Sequence, residues 1–197
     1  MSKRKSAETK DDPPVKKLTN SGHWSQGLYA AVSDTSLHLY SDDEMVVIKD
    51  KYPKARYHYL VLPKTKIANL NALTKEHIPL LTRMYERAKI ITKDSTVKTF
   101  RYGYHAVPSM GLLHLHAISQ DFDSPSLKTK KHWNSFTTEY FVDSHRLLDM
   151  LSNNGKVDDM THHSKRLSED LKCHVCRVSL KNIPTLKAHI SKCFKDC

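Results

Sequence analysis

Three cysteines and a histidine near the C-terminus follow a spacing that few folds can accommodate. The tail reads Cys173-x2-Cys176-x12-His189-x3-Cys193. Zinc binds four nitrogen or sulfur ligands at tetrahedral corners, and a Cys-x2-Cys turn supplies two of them. His189 and Cys193 are four residues apart, so a helix places both on one face. The spacing predicts a small ββα-type C2HC zinc finger, with structural Zn2+, over residues 171–197.

Apolar residues fall where such a finger needs its core. Leu180 and Leu186 flank the central segment, and Pro184 stands where the helix should begin. All four cysteines lie in this tail, and no secretory segment precedes them, which favours metal binding over a disulfide framework. The alternative is a cysteine-bearing helical tail without metal. Cys197 is a spare thiol whose part in metal binding the spacing leaves open.

Two histidines stand one residue apart in the apolar, strand-like run from Met110 to Ser119. Alternate residues of a strand share a face, so His114 and His116 point the same way. One interpretation is a metal site, for which His105 and His58 are the further candidate ligands.

The other interpretation is nucleophilic catalysis. It needs a histidine held by neighbours, a cradle for an anion and an acid for the leaving group. His114 would be the nucleophile, and the preceding loop with Ser109 and Gly111 offers backbone N–H groups and a hydroxyl. His105 could return from an adjacent strand. These local patterns leave both interpretations open.

The charge of the chain favours a polyanionic partner. Its 197 residues carry 32 Lys and Arg against 21 Asp and Glu, a formal net charge of +11, and nucleic acid is the usual partner of such a chain. The apolar runs Met45–Ile48 and Tyr59–Pro63 fall far short of the ~20 residues that a bilayer span requires, so no membrane role is expected.

The organisation expected from the pattern is one main domain with a small appendage. Residues 1–20 read as a disordered basic tail whose two clusters, 3–5 and 16–17, predict either a nuclear import signal or a merely solubilising segment. Residues 21–152 form the main domain, 153–170 a linker and 171–197 the finger. Strands are expected over 37–40, 45–49, 57–62, 100–105 and 112–118, helices over 78–88 and 140–151, and irregular chain over 119–133.

Longer strings of this chain resemble a known family. Residues 105–119 are similar to the His-φ-His-φ-His-φ-φ motif of the histidine-triad superfamily, with the second and third histidines kept and Leu112 in place of the first. Segments 22–27, 46–63, 103–110, 119–124 and 130–135, together with the finger, resemble the DNA 5′-adenylate hydrolases of that superfamily. The resemblance covers about residues 20–194.

The resemblance implies an α+β fold, in which a histidine-triad antiparallel-sheet domain precedes the finger. It also implies a reaction in which His114 attacks the phosphorus of a 5′-adenylate. A covalent adenylyl-histidine forms, a DNA 5′-phosphate leaves, and water then releases AMP. His105 matches the general acid, while His116 and Ser109 match groups that contact the phosphate.

Other positions match the binding residues of that family. Asp50 matches the carboxylate that binds the ribose hydroxyls, and Lys54 and His58 match the wall and phosphate side of the pocket. Trp24 matches the aromatic residue that stacks on a DNA end. Lys130 and Lys131, which alone would read as a solvated face, are further candidate DNA contacts.

The expected protein is therefore a nuclear, monomeric DNA repair hydrolase with AMP as a product and no metal in its active site. Its rivals are a general nucleoside phosphoramidate or dinucleotide hydrolase and, because of Leu112, a non-catalytic DNA-end-binding protein. Chelation is expected to weaken DNA binding more than the cleavage of a small AMP substrate, whereas equal losses would mean that the finger supports the whole fold.

Overall fold

Six antiparallel strands form the sheet on which the other elements pack. In the computed structural model, which describes residues 27–194, the spatial order of the strands is β1-β2-β3-β5-β4-β6, so β5 lies in the middle of the sheet. The strands are β1 His38–Ser41, β2 Met45–Lys49, β3 His58–Pro63, β4 Phe100–His105, β5 Leu115–Ser119 and β6 Phe141–Asp143.

Within residues 27–194, five helices pack around this sheet, and some of their ends carry recognisable caps. The Asn182 side chain accepts the backbone N–H of Thr185 at the start of the finger helix, and Gly155 ends the fourth helix with a φ of 74° that favours glycine. The helices are α1 Gly27–Ser33, α2 Ile78–Thr92, α3 Lys130–Thr137, α4 Ser144–Asn154 and α5 Ile183–Cys193. Short 3-10 turns cover Thr35–Leu37, Leu70–Ala72, Lys75–His77 and Thr161–Ser168.

The two faces of the sheet are covered differently. One face packs against α2 and α4 in a single large apolar cluster that includes Val61, Leu115, Met84 and Leu147. The other face carries two separate clusters. One contains Leu28 and Ala31 of α1 together with Val46, Ile48, Leu60, Leu62 and Leu112. The other joins Ile118 and Phe141 of the sheet to α3 and α5.

The finger therefore packs directly on the sheet domain. Leu186 and Ile190 of α5 are buried in the same cluster as Trp133 and Phe136 of α3. The Trp133 indole N–H donates to the Lys172 carbonyl at 3.0 Å, which anchors the chain just before the cysteine turn. We call this group of buried side chains the finger cluster. It makes the finger and the sheet domain share one core.

Several expectations are confirmed and others are corrected. The α+β class with an antiparallel sheet is confirmed, and β2 and β4 have the predicted bounds. β5 begins later than expected, because Leu112 has a φ of 79° and lies in a left-handed turn. The helix expected over 140–151 is wrong at its start, where β6 pairs with β4 before α4 begins. Part of the stretch expected to be irregular forms α3.

Some expectations fall outside the described part of the chain. The basic tail, Trp24 and Cys197 lie outside residues 27–194, and the division into units at 152 and 171 stays a prediction. Within the described residues, no helix combines the length and apolar character that crossing a membrane requires.

Candidate active site and metal centre

His114 lies just before β5, and its ring is oriented by the backbone. Its Nδ1 lies 2.9 Å from the Leu112 carbonyl oxygen. A carbonyl only accepts, so Nδ1 carries the proton and Nε2 keeps a lone pair. Burial lowers the pKa of His114, although the Leu112 hydrogen bond and Asp50 oppose that shift. The result is a neutral imidazole with a free nucleophilic nitrogen at neutral pH.

A hydrogen-bond chain fixes the opposite arrangement in His116. The Lys54 backbone N–H donates to Nδ1 of His58 at 3.2 Å, and Nε2 of His58 lies 2.9 Å from Nδ1 of His116. Burial lowers the pKa of His58 to about 4 and that of His116 well below its usual value, so both rings are neutral. His58 must then donate from Nε2, which leaves His116 with its proton on Nε2. That nitrogen is buried, has no hydrogen-bond partner among residues 27–194, and is free to donate to a bound group.

His105 completes the cluster from the end of β4. Its ring centroid lies 4.4 Å from that of His116, and its Nε2 is buried and has no hydrogen-bond partner in the described part of the chain. Burial, with a contribution from His114, lowers the pKa of His105 well below its usual value. One ring nitrogen from each of His105, His114 and His116 lies within 4.8 Å of the others. The three rings thus direct a lone pair, from His114, and N–H donors toward the same small space between them.

Phe136 of α3 forms an aromatic wall beside these rings. Its ring centroid lies 5.2 Å from that of His58, 4.8 Å from that of His105 and 5.3 Å from that of His116. Sequence reasoning missed this residue because residues 119–133 were expected to be irregular and no element was predicted over 134–139. Thr129, whose side chain accepts the His132 backbone N–H at the start of α3, was the available sequence signal.

The loop between β2 and β3, which we call the nucleotide loop (residues 50–57), brings both signs of charge to the histidines. One oxygen of Asp50 accepts the Tyr52 backbone N–H at 2.7 Å, and the other lies 3.6 Å from Nδ1 of His58. The Lys54 ammonium donates to the Tyr52 carbonyl. Burial lowers the pKa of Lys54, while Asp50 opposes the shift. A carboxylate and an ammonium therefore lie beside the imidazole cluster.

The remaining predicted site residues lie apart from this cluster. Ser109 is exposed on the loop between β4 and β5, and within residues 27–194 no hydrogen bond joins it to the histidines. Lys130 and Lys131 begin α3 on the surface, where the Lys130 ammonium pairs with Asp170 at 3.3 Å. The structure thus brings together the four histidines, Asp50 and Lys54, but leaves Ser109 and the two lysines outside.

The finger residues have the geometry of a tetrahedral metal site. Sγ of Cys173 lies 3.9 Å from Sγ of Cys193, and Sγ of Cys176 lies 3.2 Å from Nε2 of His189. Zinc–sulfur bonds of ~2.3 Å at tetrahedral angles separate two sulfurs by ~3.8 Å. All four ligand atoms lie within 4.8 Å of one another. The set therefore fits zinc, as the spacing predicted.

Two family models match adjacent parts of the chain. Residues 24–132 match the family described as scavenger mRNA decapping enzyme C-term binding, and residues 137–196 match the C2HE / C2H2 / C2HC zinc-binding finger. The first spans the sheet domain up to α3, and the second includes all four metal-ligand candidates.

Curated relatives and solved structures agree with these matches. Aprataxin of Gallus gallus is 52% identical over 87% of this chain and 55% of the relative. The aprataxin-like protein of Saccharomyces cerevisiae is 32% identical over 77% of this chain and 84% of the relative. The chain spans about half the length of the Gallus gallus, Danio rerio and Ciona intestinalis aprataxins to which it is similar. The crystal structure of the aprataxin ortholog Hnt3 in complex with DNA is similar with a TM-score of 0.68, at 27% identity over 86% of this chain and 92% of that one.

Proposed function

The chain belongs to the aprataxin family, and from that premise we propose that it removes AMP from 5′-adenylated DNA ends. The observation that carries the proposal is the opposed protonation of His114 and His116. A phosphoryl group needs a nucleophile on one side and donors for its oxygens, and this pair offers one of each. The similarity to a DNA-bound ortholog and the net charge of +11 support DNA as the leaving group.

In the proposed reaction, Nε2 of His114 attacks the adenylate phosphorus. The bond from phosphorus to the DNA 5′-phosphate oxygen breaks, and an adenylyl-histidine forms. Water then attacks the same phosphorus, and AMP leaves with regeneration of the imidazole. The Nε2–H of His116 donates to a non-bridging oxygen of the phosphoryl group, where charge develops in the transition state.

His105 protonates the leaving phosphate in this proposal. Burial keeps its ring neutral in the substrate-free site. A phosphate anion bound nearby raises the pKa of an imidazole, since an opposite charge favours the protonated form. Substrate binding therefore favours protonation of His105. This explains how a buried histidine with a lowered pKa can serve as the general acid.

Asp50, Lys54 and His58 form the nucleotide side. The carboxylate accepts ribose hydroxyls, and the ammonium faces the phosphate. Ser109 would reach the phosphate only if its loop folds inward with substrate. Trp24, Lys130 and Lys131 are the proposed DNA contacts, with Trp24 stacking on the end of the duplex.

The proposal places no metal in the active site and a structural zinc ion in the finger. Nε2 of His116 carries a hydrogen in the hydrogen-bond chain from Lys54, so it offers no lone pair to an ion there. Leu112 does not argue against catalysis, because the backbone carbonyl, rather than the missing triad side chain, orients His114.

The proposed setting is the nucleus, where a monomer acts on DNA. The basic clusters at 3–5 and 16–17 support import, and DNA and AMP are the only partners proposed.

Incubation with 5′-adenylated nicked DNA and with a small AMP phosphoramidate tests the proposal. We expect AMP and a 5′-phosphorylated strand from the DNA substrate. His114→Ala should bind this DNA and fail to release AMP, whereas Lys64→Ala, at an exposed surface position, should behave as the wild type. Release of AMP from the phosphoramidate alone would support a general nucleotide hydrolase instead. Binding without release from either substrate would support a non-catalytic DNA-end protein.

A further inference from the structure

A lysine of the finger reaches the sheet domain by a direct hydrogen bond. Lys187 lies on α5, the helix that also supplies His189 and Cys193 to the metal site. Its ammonium donates to the Ser124 backbone carbonyl at 2.6 Å. Lys187 is half-buried by this contact, whereas Lys192 of the same helix is exposed. The ammonium of Lys187 is therefore directed to the protein itself rather than to solvent or a bound strand.

Ser124 carries this contact to the nucleotide loop. Its hydroxyl donates to the Pro53 carbonyl at 2.5 Å, and the whole residue is buried. Pro53 precedes Lys54, the residue whose backbone N–H holds Nδ1 of His58. The path from the finger helix to the imidazole chain thus consists of three hydrogen bonds, linked covalently through Ser124 and through the Pro53–Lys54 peptide unit.

The far end of the nucleotide loop is held by the same segment that contains Ser124. The Arg56 backbone N–H donates to the Asp121 carboxylate at 3.1 Å, and the Tyr57 backbone N–H donates to the Ser119 hydroxyl at 3.0 Å. Residues 119–124 therefore hold the nucleotide loop by hydrogen bonds. Lys187 in turn binds Ser124, at the end of that segment. A loop already held in its bound shape loses less conformational entropy when a ligand binds.

We propose that Lys187 is a positioning residue for the nucleotide site, which the finger holds in shape through Ser124 and Pro53. This inference rests on the proposed function for the identity of the ligand, an adenosine monophosphate group. It gives the finger a second task besides DNA contact. The effect should appear with small AMP substrates that never touch DNA.

Lys187→Met is the direct test, because it keeps the length of the side chain and removes the donor. We expect KM for a small AMP phosphoramidate to rise about tenfold, which corresponds to ~1.4 kcal/mol, with kcat changed less than twofold. Lys187→Arg should recover much of the affinity. Lys192→Met is the matched control on the same helix and should leave KM unchanged.

A double-mutant cycle with Ser124→Ala tests the path itself. Because both changes break the same chain of contacts, the double variant should raise KM no more than the larger single effect. Additive effects would contradict the coupling, as would a Lys187→Met enzyme with wild-type KM or with a loss confined to kcat. Zinc content, measured on every variant, should match the wild type; a Lys187→Met variant that loses zinc would assign the residue to finger stability instead.

Equilibrium binding of AMP separates this inference from the proposed function. If the wild type hydrolyses neither substrate, the proposed function fails, yet Lys187→Met should still bind AMP about tenfold more weakly than Lys192→Met. Equal AMP affinities of these two variants would overturn the inference whether or not the enzyme is active.

Discussion

Leu112 has a role that its position in the motif does not suggest. Its φ of 79° lies in the left-handed region, where a residue other than glycine is strained by about 1–3 kcal/mol. The side chain is 1% exposed and packs with Leu28, Ala31 and Leu60. That packing holds the turn whose carbonyl orients His114. The leucine thus anchors the proposed nucleophile through the backbone.

Truncation of this anchor should damage both stability and catalysis. Leu112→Ala removes a buried side chain, so we expect the free energy of unfolding to fall by about 2–4 kcal/mol. We also expect kcat to fall by about tenfold or more, because His114 loses its fixed orientation. Leu113→Ala is the matched control, since Leu113 is equally buried but packs in the cluster on the opposite face. It should lose similar stability and keep kcat; equal losses of kcat in the two variants would contradict the role of Leu112.

The buried histidines make the protein sensitive to acid. The pKa of His58 is about 4 in the folded protein, against 6.5 as its ordinary value. Between these values the unfolded chain binds a proton that the folded site excludes, so stability falls as pH falls from 6.5 toward 4. The loss from His58 alone is roughly 3 kcal/mol by pH 4.

Unfolding free energies measured between pH 7 and 4.5, with zinc in excess, check this expectation. His58→Gln keeps an acceptor and a donor but does not titrate, so its stability should depend less steeply on pH. A slope identical to that of the wild type would show that His58 does not contribute. AMP release should also decline in acid, at a pH below the ordinary pKa of histidine because burial lowers the pKa of His114, which must be neutral to attack.

That His114 and His116 face the same side could be predicted from the alternation of side chains along an extended run, although His114 lies just before β5. Their opposed protonation could not, since it depends on a backbone N–H at Lys54 and on His58, more than fifty residues earlier in the chain. Likewise, the finger ligands were predictable from spacing, but the contact of Lys187 with Ser124 joins segments 63 residues apart.

At the scale of elements, the pairing of β4 with β6 depends on one glycine. A Cβ on Gly103 would lie 2.3 Å from the Val142 carbonyl oxygen and 2.7 Å from Cε1 of Phe141. The backbones therefore approach more closely than a side chain allows. This contact sets the end of β4, where His105 pairs with Phe141.

Gly103→Ala should push these strands apart. We expect the free energy of unfolding to fall by about 1–3 kcal/mol and kcat to fall more than KM changes, because His105 is displaced. Gly27→Ala is the control, since among the described residues a Cβ there meets only the end of Met110 at 3.5 Å. Melting curves and steady-state kinetics of both variants give the result; wild-type stability in Gly103→Ala would contradict the close approach.

Elements with a clear apolar pattern were predicted well, whereas β6 and α3 were not. β2 and β4 alternate or run apolar over their full length, so their bounds were predictable. β6 has three residues and α3 has eight, too few for a period to be recognised. Tertiary contacts stabilise both elements: β6 pairs with β4, and α3 packs in the finger cluster.

On the scale of the whole molecule, the finger cluster connects the metal to the imidazoles. Leu186 and Ile190 pack with Trp133 and Phe136, and the Phe136 ring contacts three of the four histidines. A finger of this size folds only with its metal, so zinc binding is also folding energy for the cluster. The sequence predicted two units with separate tasks. Because the finger and the sheet domain share the finger cluster, the geometry of the histidine site depends on the folding of the finger.

Chelation should therefore impair hydrolysis of small and large substrates alike. Loss of zinc unfolds α5, removes Leu186 and Ile190 from the finger cluster, and leaves the Phe136 wall without support. We expect kcat/KM for a small AMP phosphoramidate to fall about as much as for adenylated DNA, together with a fall in melting temperature. Addition of Zn2+ should restore all three quantities.

Cys176→Ser, which removes a ligand at the exposed edge of the site, should reproduce the chelated state without a chelator. Loss of DNA binding with undiminished cleavage of the phosphoramidate would show instead that the finger serves DNA alone.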